Sequence, residues 1–350
     1  MGLVHKLLSV FFKEYLIPAQ PISFCFEVLL CVILNIPKII VSMILYVYFP
    51  AEPKSVQGKV ILITGTARGN GRELALQFHR LGAKIACVDK DGAGNDETVE
   101  RIRAEGGVAE GFVADITDRR QVMDMHAAVG RLMGPVDVLV NNAGVVKNTL
   151  FADPEVDDVI TDIVNTNLLG QIWVIREILP SMLERNTGHI VTISSMTSFQ
   201  GLEFHFAYSA TKFAVNGMME SLTKELKLMK SDVITTTVCP YFIANCPRNS
   251  SNRILRFPEI PVEDACELII EGILRNERIF TVPDNSFYPL QFIKFLPEDV
   301  QDMFRDVYFT NIKLTPKEEN IIDKYTIFTE TSNNQAFSFN ACMKMGSLPD

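Results

Sequence analysis

The chain has 350 residues, 47% of them hydrophobic, and carries a formal net charge of −9 at pH 7. This length is sufficient for a full globular core, and the acidic balance argues against nucleic-acid binding, which needs clustered basic side chains. The seven cysteines and five histidines show no paired ligand spacing, so the sequence predicts no metal site and favours a reducing compartment.

The first part of the chain, residues 1–53, is predicted to associate with a membrane. Its apolar stretch Val28–Phe49 would form a helix of about 33 Å against a hydrocarbon core of about 30 Å. Pro37 and Lys38 lie near the middle of this stretch, where they disfavour a spanning helix but suit the bend of a re-entrant hairpin, and both arrangements fit the sequence. Leu3–Tyr15 has the apolar spacing and the lysines of a short interfacial helix.

Residues 54–284 alternate strand and helix patterns, which predicts a single α/β domain with a doubly wound parallel sheet. The apolar run that begins at Lys59 ends at Gly65, as a buried parallel strand does. Gly69 and Gly71 follow before a helical pattern. Glycines here let the backbone approach a pyrophosphate at the start of a helix, so we predict a dinucleotide-binding loop. An ordinary glycine-rich turn is the alternative.

A second strand pattern, Lys84–Asp89, ends in a carboxylate about twenty residues after the glycine loop. A carboxylate there reads the ribose 2′-hydroxyl of NAD and repels a 2′-phosphate. Arg68 and Lys90 argue the other way, because both could pair with the phosphate of NADP. The sequence therefore predicts NAD as cofactor and leaves NADP open.

The pattern Tyr208-x-x-x-Lys212, with Ser195 thirteen residues upstream, predicts a proton-transfer site. On a helix, residues i and i+4 share a face, so the Lys212 ammonium could lie beneath the Tyr208 phenol and favour its phenolate form. Taken alone, this spacing is weak, because it also describes an ordinary solvated helix face.

Several ordered motifs together make the chain resemble the short-chain dehydrogenase/reductase family from about Ser55 to Pro283. The motifs are Thr64-Gly65-x-x-x-Gly69-x-Gly71, Asn141-Asn142-Ala143-Gly144, Ser195 and Tyr208-x-x-x-Lys212. Finer features, including Cys239-Pro240, are similar to the membrane-associated branch that contains retinol dehydrogenases and some 17-beta-hydroxysteroid dehydrogenases.

The resemblance implies a role for each matching residue. Tyr208 is the general acid/base, Lys212 holds the nicotinamide ribose and favours the phenolate, and Ser195 hydrogen-bonds the substrate oxygen. Asn167 completes the set by holding a water that relays protons. From the residues alone, Asn167 could equally be a polar group inside a helix.

The resemblance also extends to the cofactor floor and to the assembly. It implies that Asp115 faces the adenine, that Asn142 and Gly144 shape the floor, and that the protein is a homodimer. Asp115 and Asn142 could instead form ordinary turns. The chain departs from the family pattern at three positions, which hold Asn70, Tyr241 and Asn245.

The substrate end of the predicted site is rich in aromatic residues, with Phe199, Phe204 and Phe206 between Ser195 and Tyr208. The long connection 242–261 is a candidate lid, and four of its apolar residues could line a pocket. They are Phe242, Ile254, Leu255 and Phe257.

Two further segments follow the α/β domain. Residues 285–325 form an amphipathic extension with a helix pair over Phe287–Tyr308. The polar tail 326–350 is predicted to be disordered.

These patterns favour a membrane-anchored oxidoreductase that transfers a hydride between a nicotinamide cofactor and a lipophilic alcohol, ketone or aldehyde, such as a retinoid, a steroid or a long-chain alcohol. We expect it at the endoplasmic reticulum membrane or on lipid droplets, with the catalytic domain in the cytosol. The alternative is a catalytically weak, cofactor-binding scaffold protein of the same surfaces.

Overall fold

A computed structural model describes residues 26–38, 41, 52–244, 257–308 and 316–326. The chain divides into two compact units, Met1–Pro53 and Lys54–Asp350. In the first unit, residues 26–38 are helical. None of the helices within the described ranges combines the length and apolar character needed to cross a membrane. The predicted interfacial helix Leu3–Tyr15 and much of Val28–Phe49 lie outside the described residues.

The second unit is built on a seven-stranded parallel sheet with the order β3-β2-β1-β4-β5-β6-β7. The strands are β1 Val60–Thr64, β2 Lys84–Asp89, β3 Val108–Val113, β4 Val138–Asn141, β5 His189–Ile193, β6 Ile234–Pro240 and β7 Ile279–Val282. The predicted doubly wound parallel sheet is confirmed. The strand order reverses between β1 and β4, and such a reversal opens a crevice at the carboxyl ends of the strands where ligands bind.

Both faces of the sheet are buried, which explains why its central strands are continuous apolar runs. Along β1, Ile61 and Ile63 pack into the core on one face, while Val60 and Leu62 pack into the core on the other. All five residues of β1 are buried. Side chains alternate between the two faces of a strand, so an uninterrupted apolar run serves two helical layers at once.

Helices cover the two faces. They are α1 Gly69–Arg80, α2 Gly92–Ala104, α3 Arg119–Leu132, α4 Asp157–Val164, α5 Gln171–Glu184, α6 Phe206–Leu228 and α7 Val262–Leu274. Apolar residues of α1, α2 and α7 contribute to one core, and those of α3, α5 and α6 contribute to the other. A short π-helix, Asn165–Gly170, joins α4 to α5.

Within the described residues, three α-helices follow the sheet: α8 Phe287–Ile293, α9 Glu298–Tyr308 and α10 Pro316–Thr326. The first two occupy the stretch where the sequence predicts a helix pair. Lys317 of α10 lies 2.8 Å from the Asp153 carboxylate and 2.9 Å from that of Glu155, so these ion pairs hold α10 beside the loop that follows β4. Of the predicted disordered tail, only Thr326, the last residue of α10, falls within the described residues.

Candidate active site

A cavity of about 460 Å³ lies at the carboxyl ends of the central strands, within the size range of small-molecule sites. All the site residues predicted from the sequence line this cavity except Asn167. Those that line it are Gly65, Arg68, Gly69, Gly71, Asp89, Asp115, Asn142, Gly144, Ser195, Tyr208 and Lys212. The fold thus brings together motifs that are spread over about 150 residues of sequence.

The glycine loop has the shape that a pyrophosphate requires. Gly65 and Gly69 adopt the left-handed backbone conformation, with φ of 79° and 60°. A Cβ atom at Gly71 would collide with the Gly65 carbonyl oxygen. Helix α1 begins at Gly69, and no side chain caps its first N–H groups. The loop therefore presents close-packed backbone and an uncapped helix N-terminus, an arrangement that fits the pyrophosphate of a dinucleotide.

Asp89, at the end of β2, has a fixed carboxylate. One oxygen accepts a hydrogen bond from the Ala67 N–H at 2.9 Å, and the other accepts from the Asp91 N–H at 2.9 Å. The neighbouring Lys90 ammonium lies 3.7 Å from the Asp115 carboxylate. In this part of the cavity wall, two backbone N–H groups therefore hold the Asp89 carboxylate in place, while the Lys90 ammonium lies beside the Asp115 carboxylate.

Sequence reasoning did not identify Arg72, which supports the loop from behind. Its guanidinium donates to the carbonyl oxygens of Ala67 and Gly94 and to the Glu97 carboxylate, and its Nε donates to the Thr98 hydroxyl at 3.0 Å. These bonds join the loop before α1 to helix α2. The helical spacing of Arg72 resembles that of any exposed charge, so no local pattern indicated this role.

The floor of the cavity is formed where β4 ends beside β1. The Asn142 side-chain amide donates to the Thr64 carbonyl oxygen at 2.9 Å. The backbone N–H groups of Asn142 and Ala143 both donate to the Thr64 hydroxyl at 3.1 Å. A Cβ atom at Gly144 would come within 3.2 Å of the Asn167 Oδ1 atom, so the floor is tightly packed at this residue.

Asn167 is fully buried in the π-helix, behind this floor. Its Oδ1 atom accepts from the Val145 N–H at 2.7 Å, and its Nδ2 group donates to the Val145 carbonyl at 2.8 Å. Both ends of the amide thus hold Val145, the residue that follows Gly144 of the floor. The proton relay expected from the family resemblance stays a prediction for Asn167, because its side chain does not line the cavity.

Asp115 follows β3 and forms the turn that the sequence offered as the alternative. One oxygen of its carboxylate accepts from the Thr117 N–H at 2.9 Å and from the Thr117 hydroxyl at 2.8 Å. The residue also lines the cavity, so the turn and a cofactor contact are compatible.

Tyr208 and Lys212 lie one turn apart on α6, as the spacing predicts. The Lys212 ammonium is 5.5 Å from the centre of the Tyr208 ring and donates to the Ile193 carbonyl oxygen at 2.8 Å. Burial lowers the pKa of Lys212 to about 8, so it is still mainly charged at pH 7. Ser195, two residues after the end of β5, accepts at Oγ from the Thr197 N–H at 3.2 Å. The site therefore combines a phenol, a buried cation and a hydroxyl.

The outer part of the cavity is lined mainly by apolar side chains, including Val145, Val146, Leu202, Phe242 and Ile243, together with His205, Tyr241 and Glu259. The stretch between Ser195 and Tyr208 lines the cavity through Met196, Thr197, Leu202 and His205. Its aromatic residue Phe199 packs instead against Phe287 of α8 and is absent from the cavity wall. Phe257 is 46% exposed and is also absent from that wall.

Phe204 and Phe206, the other two aromatic residues between Ser195 and Tyr208, do not line the cavity either. Phe206 stacks on Phe151. The predicted pocket residues Ile254 and Leu255, with most of the candidate lid, lie outside the described residues.

Comparisons with known proteins agree with this geometry. A family model for short chain dehydrogenases matches residues 59–253. The 17-beta-hydroxysteroid dehydrogenase 13 of Homo sapiens is 34% identical over 276 residues, which is 78% of this chain and 90% of the relative. The estradiol 17-beta-dehydrogenase 11 of Homo sapiens is 32% identical over 278 residues, with coverages of 77% and 91%.

Among solved structures, a metagenomic short-chain oxidoreductase in complex with NADP has a TM-score of 0.55 and 25% sequence identity, covering 65% of this chain and 98% of that one. The fold, the site motifs and the relatives thus agree. The chain belongs to the short-chain dehydrogenase family and is an NAD(P)-dependent oxidoreductase that acts on CH–OH groups.

Proposed function

We propose that this protein transfers a hydride between NAD and a lipophilic alcohol or its carbonyl counterpart at a membrane surface. The observation that carries the proposal is the buried Lys212 ammonium beside the Tyr208 ring, in a cavity that also contains Ser195. A phenol next to a buried cation is suited to accept a proton from an alcohol, because the cation stabilises the phenolate.

In the oxidative direction, Tyr208 as phenolate takes the proton from the substrate hydroxyl. Ser195 holds the same substrate oxygen by a hydrogen bond and orients the carbinol carbon. Lys212 stabilises the phenolate and binds the cofactor ribose. Bound NAD supplies the hydride acceptor, so the substrate carbon loses a hydride as its oxygen loses a proton. In the reductive direction Tyr208 returns the proton to the carbonyl oxygen.

The remaining site residues hold the cofactor and connect the site to solvent. Gly65, Gly69 and Gly71 would accommodate the pyrophosphate, and Asp115 would face the adenine. Asn142 and Gly144 would shape the floor of the cofactor site. Asn167 would hold a water that relays protons from Lys212, as the family resemblance implies.

The preference for NAD over NADP rests on Asp89. Its carboxylate is aligned by two backbone N–H groups at the end of β2. In this position it would accept from a ribose 2′-hydroxyl and repel a 2′-phosphate. Lys90 lies near Asp115 and is therefore partly neutralised as a phosphate partner.

The substrate class is inferred from the outer wall of the cavity and from the relatives. Val145, Leu202, Phe242 and Ile243 offer apolar contact area, and the named relatives are steroid dehydrogenases. We infer a bulky lipophilic substrate such as a steroid, a retinoid or a long-chain alcohol.

A membrane location is supported by the helix over 26–38, in which Leu29, Val32 and Ile33 are each at least half exposed. Cys87, Cys239 and Cys266 are buried and free, which suits a cytosolic catalytic domain. We place the protein at the endoplasmic reticulum membrane or on lipid droplets and expect it to form a homodimer.

The direct test is nicotinamide absorbance with the detergent-solubilised full chain. The assay supplies NAD or NADP with retinol, a 17-beta-hydroxysteroid or a long-chain alcohol, and with a short polar alcohol as control. We expect turnover of at least one lipophilic substrate and faster turnover with NAD. Turnover of the polar alcohol alone would contradict the substrate class. Cofactor binding without turnover of any substrate would favour the scaffold alternative.

A further inference from the structure

A histidine that the family motifs do not include lies against the reacting phenol. His205 directly precedes α6 and is only 3% exposed. Its ring centre lies 6.5 Å from that of Tyr208, with the rings at 79°. This is the edge-to-face arrangement that aromatic pairs prefer. His205 also lines the cavity, so an imidazole contacts the phenol at the substrate end.

The imidazole is fixed by its own turn. Its Nδ1 atom lies 2.9 Å from the Glu203 carbonyl oxygen. A carbonyl oxygen only accepts hydrogen bonds, so Nδ1 carries the proton and donates it. The intervening Phe204 has a φ of 60°, a left-handed conformation that is costly for a bulky side chain. The chain thus maintains a strained turn where it orients the histidine.

Neighbouring segments stabilise this turn from both sides. The Thr149 N–H donates to the Phe204 carbonyl oxygen at 2.6 Å, and Thr149 also forms a β-bridge with His205. On the helix side, the Ser209 N–H donates to the His205 carbonyl oxygen at 2.7 Å. The position of the imidazole is therefore determined by the loop after β4 and by the first turn of α6 together.

We propose that His205 is a positioning residue that holds the Tyr208 phenol in its reactive orientation by edge-to-face ring contact. The imidazole and the Lys212 ammonium, which lies 5.5 Å from the ring centre, then both contact the phenol ring. The inference rests on the proposed function, because it assumes that Tyr208 is the acid/base. It adds a residue that acts through Tyr208, and proton transfer is sensitive to such alignment.

Three substitutions separate the ring contact from the hydrogen bond. His205→Ala removes both, His205→Phe keeps a ring, and His205→Asn keeps an amide donor for the Glu203 carbonyl. We expect His205→Ala to lower kcat by about 2- to 10-fold, the loss expected for one aromatic pair. The KM for the substrate and the Kd for NAD should stay within about twofold of wild type. His205→Phe should restore kcat, and His205→Asn should not.

The matched control is His126→Ala on α3, where the imidazole meets Glu177 at 3.3 Å and does not line the cavity. This variant should retain the wild-type kcat. An unchanged kcat in His205→Ala would overturn the proposal. Recovery in His205→Asn without recovery in His205→Phe would also overturn it, because the hydrogen bond rather than the ring would then be responsible.

A spectroscopic readout keeps the proposal testable without turnover. In full-length protein labelled with 3-fluorotyrosine, the ¹⁹F resonance of Tyr208 is the one lost in Tyr208→Phe. We expect this resonance to shift in His205→Ala and His205→Asn more than in His205→Phe. If wild type turned over no substrate, the proposed function would fail, while an unshifted resonance in His205→Ala would by itself overturn the ring contact.

Discussion

Lys212 keeps its charge although only 4% of it is exposed. Its side chain is buried, and desolvation lowers its pKa to about 8, so the ammonium form still dominates at pH 7. A buried cation is costly to the fold unless it is well paired. The Ile193 carbonyl oxygen accepts one hydrogen bond from the ammonium. The ammonium also lies over the Tyr208 ring, beside the cofactor site. The position of Lys212 is therefore better explained by the chemistry of the site than by the stability of the fold.

At the same scale, Asp89 should set the cofactor preference. Asp89→Asn keeps a side-chain oxygen as acceptor but removes the charge. Repulsion between two charges at about 4 Å is about 1 kcal/mol in water and larger in a partly desolvated site. We therefore expect the ratio of kcat/KM for NADP over NAD to rise by about tenfold, measured by nicotinamide absorbance. Asp124→Asn, on the exposed side of α3, is the control, and an unchanged ratio in Asp89→Asn would contradict the assignment.

At the scale of elements, the π-helix connects the catalytic helix layer to the cavity floor. Asn167→Leu would leave the Val145 N–H and carbonyl without the partners they have now. We expect a loss of about 2 to 4 kcal/mol in the free energy of unfolding, measured by urea denaturation. Asn165→Leu, in the same π-helix, should cost less, because the described structure shows no hydrogen bond from the Asn165 side chain. Equal losses in the two variants would contradict this account of the floor.

A buried, neutral histidine, His189, lies at the amino-terminal end of the central strand β5. Lys54 donates to His189 Nδ1 at 2.6 Å, and His189 Nε2 donates to the Thr236 hydroxyl at 2.8 Å. That hydroxyl in turn donates to the Glu277 carbonyl oxygen. Burial, with a smaller effect of the Lys54 charge, lowers the pKa of His189 well below 6.5. The directions of these hydrogen bonds and the lowered pKa of His189 both indicate an uncharged imidazole.

This histidine should make the fold less stable in mild acid. Between its lowered pKa and 6.5, the unfolded chain binds a proton that the folded chain does not, so stability falls as the pH decreases through that range. In His189→Asn, the free energy of unfolding should decrease less steeply with falling pH than in wild type, by about 1 kcal/mol per pH unit between about pH 7 and about pH 5. Urea denaturation at each pH measures this slope. Identical pH slopes for the variant and wild type would show that His189 does not titrate as its burial requires.

The strand ends of the site could be predicted, and the contacts between distant segments could not. The run from Lys59 to Gly65 is apolar throughout because both faces of β1 are buried, so the loop that follows it was located from local pattern alone. The contact of Phe199 with Phe287 depends on a helix that comes 88 residues later. No local periodicity contains that information.

Two more contacts near the site lay beyond sequence reasoning for a similar reason. Asn167 binds Val145 only because a π-helix turns its amide toward the end of β4. His205 meets Tyr208 beside the left-handed Phe204, and a bulky residue gives no signal of that conformation. In both cases backbone geometry, rather than residue type, determines the contact.

For the molecule as a whole, one α/β sheet gathers the cofactor loop, the proton-transfer pair and an apolar outer wall into one cavity. Outside this cavity, Lys317 of helix α10 forms ion pairs with Asp153 and Glu155. These residues belong to the loop that supplies Val145 and Val146 to the outer wall. The substrate end is lined by this loop together with segments of the second half of the domain, including Leu202, His205 and Phe242, while the cofactor loop and floor come from its first half.

The central claim is that Tyr208 exchanges the proton in the reaction, and Tyr208→Phe tests it most directly. The substitution removes one hydroxyl and keeps the ring that contacts His205 and Lys212. With a lipophilic substrate and NAD, we expect turnover to fall by about 10²- to 10⁴-fold, with the Kd for NAD unchanged in a fluorescence titration. Turnover at the wild-type rate would contradict the assignment of Tyr208 as the acid/base.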